Sequence, residues 1–259
     1  MNTAAPLSER FRGLLKHGAQ ELFDDNSHRM ARADLFPTAH TIAADDLRLF
    51  FLGLENGTVT LYRGARFNTL DRPRARGRWG LLSREKTGCR YNAEYLSQVA
   101  AYVEAIHGLD YPSERVLFEL PHTALKLDLA ILNDEGAVIV LGEAKRAVFS
   151  LERILTEVQE RYRDVDPGEQ GRHEARQLAW RLWQTKAPYL WLIGPGERRA
   201  YRTRYAPLVF EPLPSLPRAD QIGLAHLPER PLAVPILREL QSRASKSSER
   251  RGSLCRRVS

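Results

Sequence analysis

Lys126-Leu127-Asp128-Leu129-Ala130-Ile131-Leu132, then Asn133-Asp134-Glu135-Gly136, then Ala137-Val138-Ile139-Val140-Leu141-Gly142-Glu143-Ala144-Lys145 is the stretch on which the fold turns. Two apolar runs of strand length flank a short polar segment ending in glycine, the pattern of an antiparallel hairpin. Side chains alternate along a strand, so Glu143 and Lys145 share a face with Ile139 and Leu141. If Asn133–Gly136 is the loop, Leu132 pairs with Ala137, Asp128 falls opposite Leu141 and Lys126 opposite Glu143. That register makes Asp128 and Glu143 diagonal neighbours on one face, ~7–8 Å apart. A slip of one residue would send Asp128 to the other face.

Two acids and a lysine at the end of an apolar strand are costly to hold without compensation. A hard divalent cation would compensate them, since Mg2+ takes one or two carboxylates, a carbonyl and several waters. Asp128, Glu143 and the Ala144 carbonyl are such a set. Lys145 adds a compact ammonium that can orient a water and offset charge growing on a phosphate. The plainer alternative is a half-exposed hairpin carrying a surface ion pair worth under ~1 kcal/mol.

Working outward, Val116–Leu120 reads as a third strand before the hairpin, and Leu125–Leu132 and Ala137–Leu141 as the hairpin strands. Tyr95, Gln98, Val99, Tyr102, Val103 and Ile106 recur at helical spacing, with Asn92 as a cap and Gly108 as the stop. After the hairpin, Leu151–Tyr162 and His173–Lys186 are helical, and Tyr189–Ile193 and Arg199–Tyr205 are strands. Towards the N-terminus, Arg10–Phe23 is a helix, while Leu47–Leu54 and Thr58–Tyr62 flank an Asn56-Gly57 hairpin signal. Ala206–Pro235 holds seven of the 15 prolines and reads as a surface wrap before a short helix at Ile236–Ser242. The sum is an α/β sandwich around one core.

Leu127-Asp128, a strand-length interval and Gly142-Glu143-Ala144-Lys145 before a helix resemble the PD-(D/E)xK nuclease superfamily, over roughly Tyr91–Tyr205. The resemblance implies a restriction-endonuclease-like core: a mixed central sheet that starts antiparallel, flanked by helices, here with an N-terminal helix and hairpin extension. It implies Mg2+-dependent hydrolysis of nucleic-acid phosphodiesters, with Mn2+ as substitute, DNA as the substrate and internal cutting favoured. Asp128 and Glu143 would then be metal ligands, Lys145 the motif lysine, and Glu94 the extra acid on the helix before the first core strand. Leu127 stands where the motif has proline. Gln159 and Tyr162 are three apart, not the four of the helicase-associated exonuclease branch, and two cysteines exclude the iron–sulfur subclass. The other functional classes are a catalytically idle DNA-binding or assembly subunit on the same scaffold and a protein–protein adaptor. The corresponding division of the chain is 1–90 (helix, hairpin and basic loop), 91–205 (nuclease-like core), 206–241 (proline-rich wrap) and 242–259 (basic disordered tail).

Composition agrees with a globular chain: 259 residues, 43% hydrophobic and 27% charged. Cys89 and Cys255 cannot form a disulfide scaffold, which points to a reducing, cytoplasmic setting. No apolar run reaches the ~20 residues a membrane helix needs. Of the net charge of +7, the tail Ser242–Ser259 carries +5, from six Lys/Arg against Glu249. The folded part concentrates its positive charge in Arg63–Arg90, nine Lys/Arg against Asp71 and Glu85. Within it Arg72, Arg74, Arg76 and Arg78 alternate with small residues and lead to Trp79. An extended loop there would align four side chains along a phosphate backbone, with one aromatic to stack or wedge. The seven histidines lack zinc spacing, with His122 the one worth testing, and Gln177 can point towards the site from its helix. No phosphate loop, dinucleotide fingerprint or nucleophile elbow occurs. One site per chain suits a homodimer if both strands are cut.

Overall fold

The computed structural model describes residues 6–23, 42–72, 77–85, 88–120 and 125–224. A six-stranded mixed sheet divides the molecule. Its strands lie in the order β11-β10-β9-β8-β7-β6, with β6 at Val116–Phe118, β7 at Leu129–Leu132, β8 at Val138–Ala144, β9 at Tyr189–Gly194, β10 at Glu197–Arg204 and β11 at Val209–Leu213. β8 and β9 are parallel and every other pair is antiparallel. A parallel pair needs a crossover; here it is made by α4 (Val148–Arg161) and α5 (Glu174–Thr185), which are thereby laid on one face of the sheet. The opposite face carries α1 (Leu7–Phe23), α2 (Ala44–Glu55) and α3 (Ala93–His107).

With both faces covered, the central strands lose the alternation of an exposed hairpin and become apolar throughout. All four β7 residues are buried. Leu129, Ile131, Val140, Trp191 and Ile193 face the α1–α3 side. Ala130, Leu132, Leu141, Leu190 and Leu192 meet Leu151, Ile154 and Val158 of α4 and Leu178 and Leu182 of α5. Each fully buried Leu or Ile contributes about 1.5–3 kcal/mol. The sheet edges are closed by chemistry. At β6 the Phe118 N–H donates to Asp71 Oδ2, and at β11 Pro212 removes a donor.

The hairpin register differs from the sequence expectation. Leu129 pairs with Gly142, Ala130 with Leu141 and Ile131 with Val140, whereas Leu132 pairs with Val138 across a register shift. Asn133 sets the loop, its Oδ1 accepting from the N–H groups of Glu135 and Ala137 while its own N–H donates to the Ala137 carbonyl. The loop is thus one residue longer than expected, and β8 carries one further residue at the shift. The two slips add to an even number, so Asp128 keeps its face. Continued past Leu129, the register sets Asp128 across from Glu143 instead of diagonal to it. Ile139 changes sides and packs with the α1–α3 core.

Three expectations outside the hairpin are corrected. Leu47–Leu54 is part of α2, not a strand, because Leu47, Phe50 and Phe51 form one buried helical stripe and Asn56 serves as the C-cap. The basic segment is not one loop. It contains β2 (Arg66–Thr69), β3 (Trp79–Gly80), β4 (Leu82–Glu85) and β5 (Gly88–Tyr91), with β1 (Val59–Tyr62) completing a β1-β2-β3 sheet and β4-β5 forming a hairpin. The proline-rich segment contributes β11, the sixth strand of the central sheet. Arg74, Arg76, Lys86, His122, the helix expected at 236–242 and the tail 242–259 lie outside the described residues.

Candidate active site

Asp128 precedes β7, and Glu143 and Lys145 lie at and just beyond the C-terminal end of the adjacent β8. Asp128 Oδ2 accepts the Ala144 N–H at 2.8 Å. Its main-chain carbonyl accepts from Gln98 Nε2 of α3 and from the Glu119 N–H. Contacts from three parts of the chain therefore fix one residue. Two nearby residues are strained as well: Glu119 and Lys126 hold left-handed φ values of 47° and 46°, a conformation that persists only where its surroundings over-determine it.

Glu143 is 4% exposed and both its oxygens are engaged. Lys145 Nζ donates to Oε1 at 2.7 Å and Arg181 Nη1 to Oε2 at 2.5 Å. Arg181 projects from α5 and spends its Nε–H on the Leu125 carbonyl. Burial raises the Asp128 carboxyl, and the Glu143 carboxylate raises it further, to about 8, against the opposing pull of Lys145, the Ala144 N–H and Arg181. Burial works against the Lys145 ammonium, but Glu143, Asp128 and Glu94 outweigh it, and the net shift is upward. Burial also raises Glu94, with Lys145 pulling it down and Glu143 pushing it up. Glu94 therefore stands in the same field, one helical turn before Gln98.

Asp128, Glu143 and Lys145 are thus brought together, Ala144 joins them through its N–H, and Glu94 acts on them through its charge. Gln177 is not part of the group, since its amide donates to the Gly171 and Arg172 carbonyls. One turn further along α5, Arg181 takes the place expected of it. The sequence does not single out Arg181, because its neighbours Trp180 and Leu182 give it the look of an ordinary helix flank. A buried Arg facing a strand-end Glu is legible only once the two elements are docked.

Trp79 is corrected. At 3% exposure its ring packs edge-on against Phe118, 4.9 Å between centroids, so it is a core residue and cannot stack on a base. Its indole N–H instead donates to Glu119 Oε2, while Tyr95 donates its hydroxyl to Glu119 Oε1. Arg72 is held by Asp71 at 3.2 Å. Arg78 is exposed, with its guanidinium 5.7 Å from the Trp79 ring centroid. The stems of the basic loop are anchored at both ends, Asp71 on Phe118 and the Gly77 and Arg78 N–H groups on Asn68 Oδ1. The returning stem reaches Asp128 in two steps, from the Trp79 indole to the Glu119 carboxylate and from the Glu119 N–H to the Asp128 carbonyl.

Among the described residues no group of three or more His, Cys, Asp or Glu gathers around one point, and no helix is long and apolar enough to cross a membrane. The donor set fits a divalent ion of the Mg2+ type, which needs only one or two carboxylates and keeps its waters. The Glu143 carboxylate sits close enough to oppose ionisation of Asp128, a repulsion that a cation between them would remove. Comparison with protein-family models, curated proteins and solved structures gives no match for this chain.

Proposed function

We propose that the protein is a metal-dependent nuclease of the PD-(D/E)xK type, with a restriction-endonuclease-like core, acting on DNA and favouring internal cuts. The observation that carries this reading is the Asp128 carboxylate accepting the Ala144 N–H while Lys145 donates to the adjacent Glu143, at the end of a buried strand. Asp128, Glu143 and the Ala144 carbonyl would hold Mg2+ or Mn2+. When bound, that ion supplies Lewis-acid activation of water and neutralisation of phosphate charge. Lys145 orients the attacking water and offsets charge on the phosphate, with Glu94 in reach of the same field. Arg78 would grip backbone, together with Arg74 and Arg76 of the same basic run, while Arg72 is held by Asp71.

A catalytically idle nucleic-acid-binding scaffold is the second reading, favoured by one observation: Glu143 is already satisfied by two cations, Lys145 and Arg181. The two readings part in one assay. Purified protein is incubated with supercoiled, linear and single-stranded DNA in Mg2+ or Mn2+. The nuclease reading expects cleavage that EDTA, Glu143→Ala and Lys145→Ala each abolish while the fold is kept. DNA binding without cleavage under any of these conditions supports the idle scaffold, and full activity in EDTA or in either variant overturns the mechanism.

A further inference from the structure

The two oxygens of Glu143 are held by very different partners. Arg181 is anchored twice, on Oε2 and on the Leu125 carbonyl, from a helix packed against the sheet. Its side chain is 8% exposed, whereas that of Lys145 is 17% exposed. Lys145 follows the last residue of β8, its main-chain N–H tied to the Ile193 carbonyl, and its long side chain reaches back to Oε1. Across from it, Asp128 Oδ2 is tied to the Ala144 N–H.

We propose that divalent cation and nucleic acid bind this site in synergy, because the Lys145 ammonium occupies the one Glu143 oxygen that Arg181 leaves for a metal, and releases it when a substrate phosphate draws it away. The proposal rests on the nuclease reading above. An ammonium 2.7 Å from Oε1 and a divalent ion cannot both use that oxygen, and without an anion nearby the ion also meets two positive charges. A phosphate changes both terms, giving Lys145 a new partner and adding negative charge. Arg181 acts through Glu143 and is a positioning residue: it keeps Oε2 occupied, so that Glu143 serves as a single-oxygen ligand alongside Asp128. Linkage then requires that DNA tighten the metal by the same factor as the metal tightens DNA.

The test is calorimetric titration of MnCl2 into the full chain, alone and saturated with a phosphorothioate DNA duplex that resists cleavage. The expected result is a Kd for Mn2+ lowered by roughly tenfold or more when the duplex is present. Lys145→Gln should bind Mn2+ without DNA about as tightly as the wild type does with it, and its coupling should fall to within roughly twofold. Arg181→Lys should keep the coupling. If both ligands bind the wild type but leave each other's Kd unchanged, the proposal is overturned while the nuclease reading stands. It is overturned in the same way if Lys145→Gln binds Mn2+ no better than the wild type alone. No Mn2+ binding in either setting overturns both. Should Lys145→Gln fail to fold, the wild-type comparison decides.

Discussion

Glu143 and Arg181 form a buried ion pair, and removing one member of such a pair costs far more than the pair itself contributes, because the other charge is stranded. Arg181→Ala leaves Glu143 with Lys145 alone, on Oε1, so it should lower unfolding stability by about 1–3 kcal/mol, below the ~3–5 kcal/mol of a wholly stranded charge, read from urea denaturation. A loss below about 1 kcal/mol would mean that water reaches Glu143 freely. Asp128 gives the opposite sign. Its carboxyl is raised from 3.8 to about 8 by burial and by Glu143, so between those values the native state holds a proton that the unfolded chain has released. Stability then falls as pH rises through that window and is flat outside it. Asp128→Asn should remove the fall and leave the protein more stable than the wild type above pH ~8, checked by thermal melts across the range. Mn2+ favours the ionised form and should shrink the fall.

The hairpin β7–β8 is the element that makes these residues neighbours, and at Gly142 the facing Leu129 leaves no room for a side chain. A Cβ at Gly142 would stand 2.8 Å from the Leu129 Cβ and 3.2 Å from its carbonyl oxygen. Gly142→Ala should force the strands apart, destabilising by roughly 1–3 kcal/mol. It should also lower cleavage more than it lowers melting temperature, since Asp128 and Glu143 separate first. Wild-type activity in Gly142→Ala would show that the strand spacing is not critical. The sequence exposes this element well, because two apolar runs around Asn133–Gly136 admit few alternatives. It does not expose the register, which depends on Asn133 Oδ1 organising a loop one residue longer and on an extra residue in β8. Helices α3, α4 and α5 are legible from their stripes. α2 is masked by Asn56-Gly57, a hairpin dipeptide that here ends a helix. The strands of the basic segment are two to four residues long and carry charge, so their composition reads as loop. Trp79 inherits that misreading from its neighbours, though its partners Phe67 and Phe118 decide its place.

Across the whole molecule, the central sheet separates two apolar layers, with the candidate site at its end reached from both: Glu94 and Gln98 from α3, and Arg181 from α5. The N-terminal basic segment is stitched to this end through Asp71, Trp79 and Glu119, so its stems lie at the same end of the sheet as the candidate site. Replacing Arg72, Arg74, Arg76 and Arg78 together should weaken DNA binding for every sequence alike and reduce the log–log salt slope by about one unit per lost phosphate contact. Deleting 242–259 should matter less. If the deletion removes the slope and the four substitutions leave it intact, the nucleic acid lies elsewhere. Whether Asp128 and Glu143 form one divalent-cation site is read most directly by manganese electron paramagnetic resonance. Mn2+ is titrated into wild type and Asp128→Asn, each saturated with uncleavable DNA. The expected result is one bound Mn2+ per chain in the wild type and its loss in Asp128→Asn. Equal binding by the two proteins, or none by either, would contradict the claim.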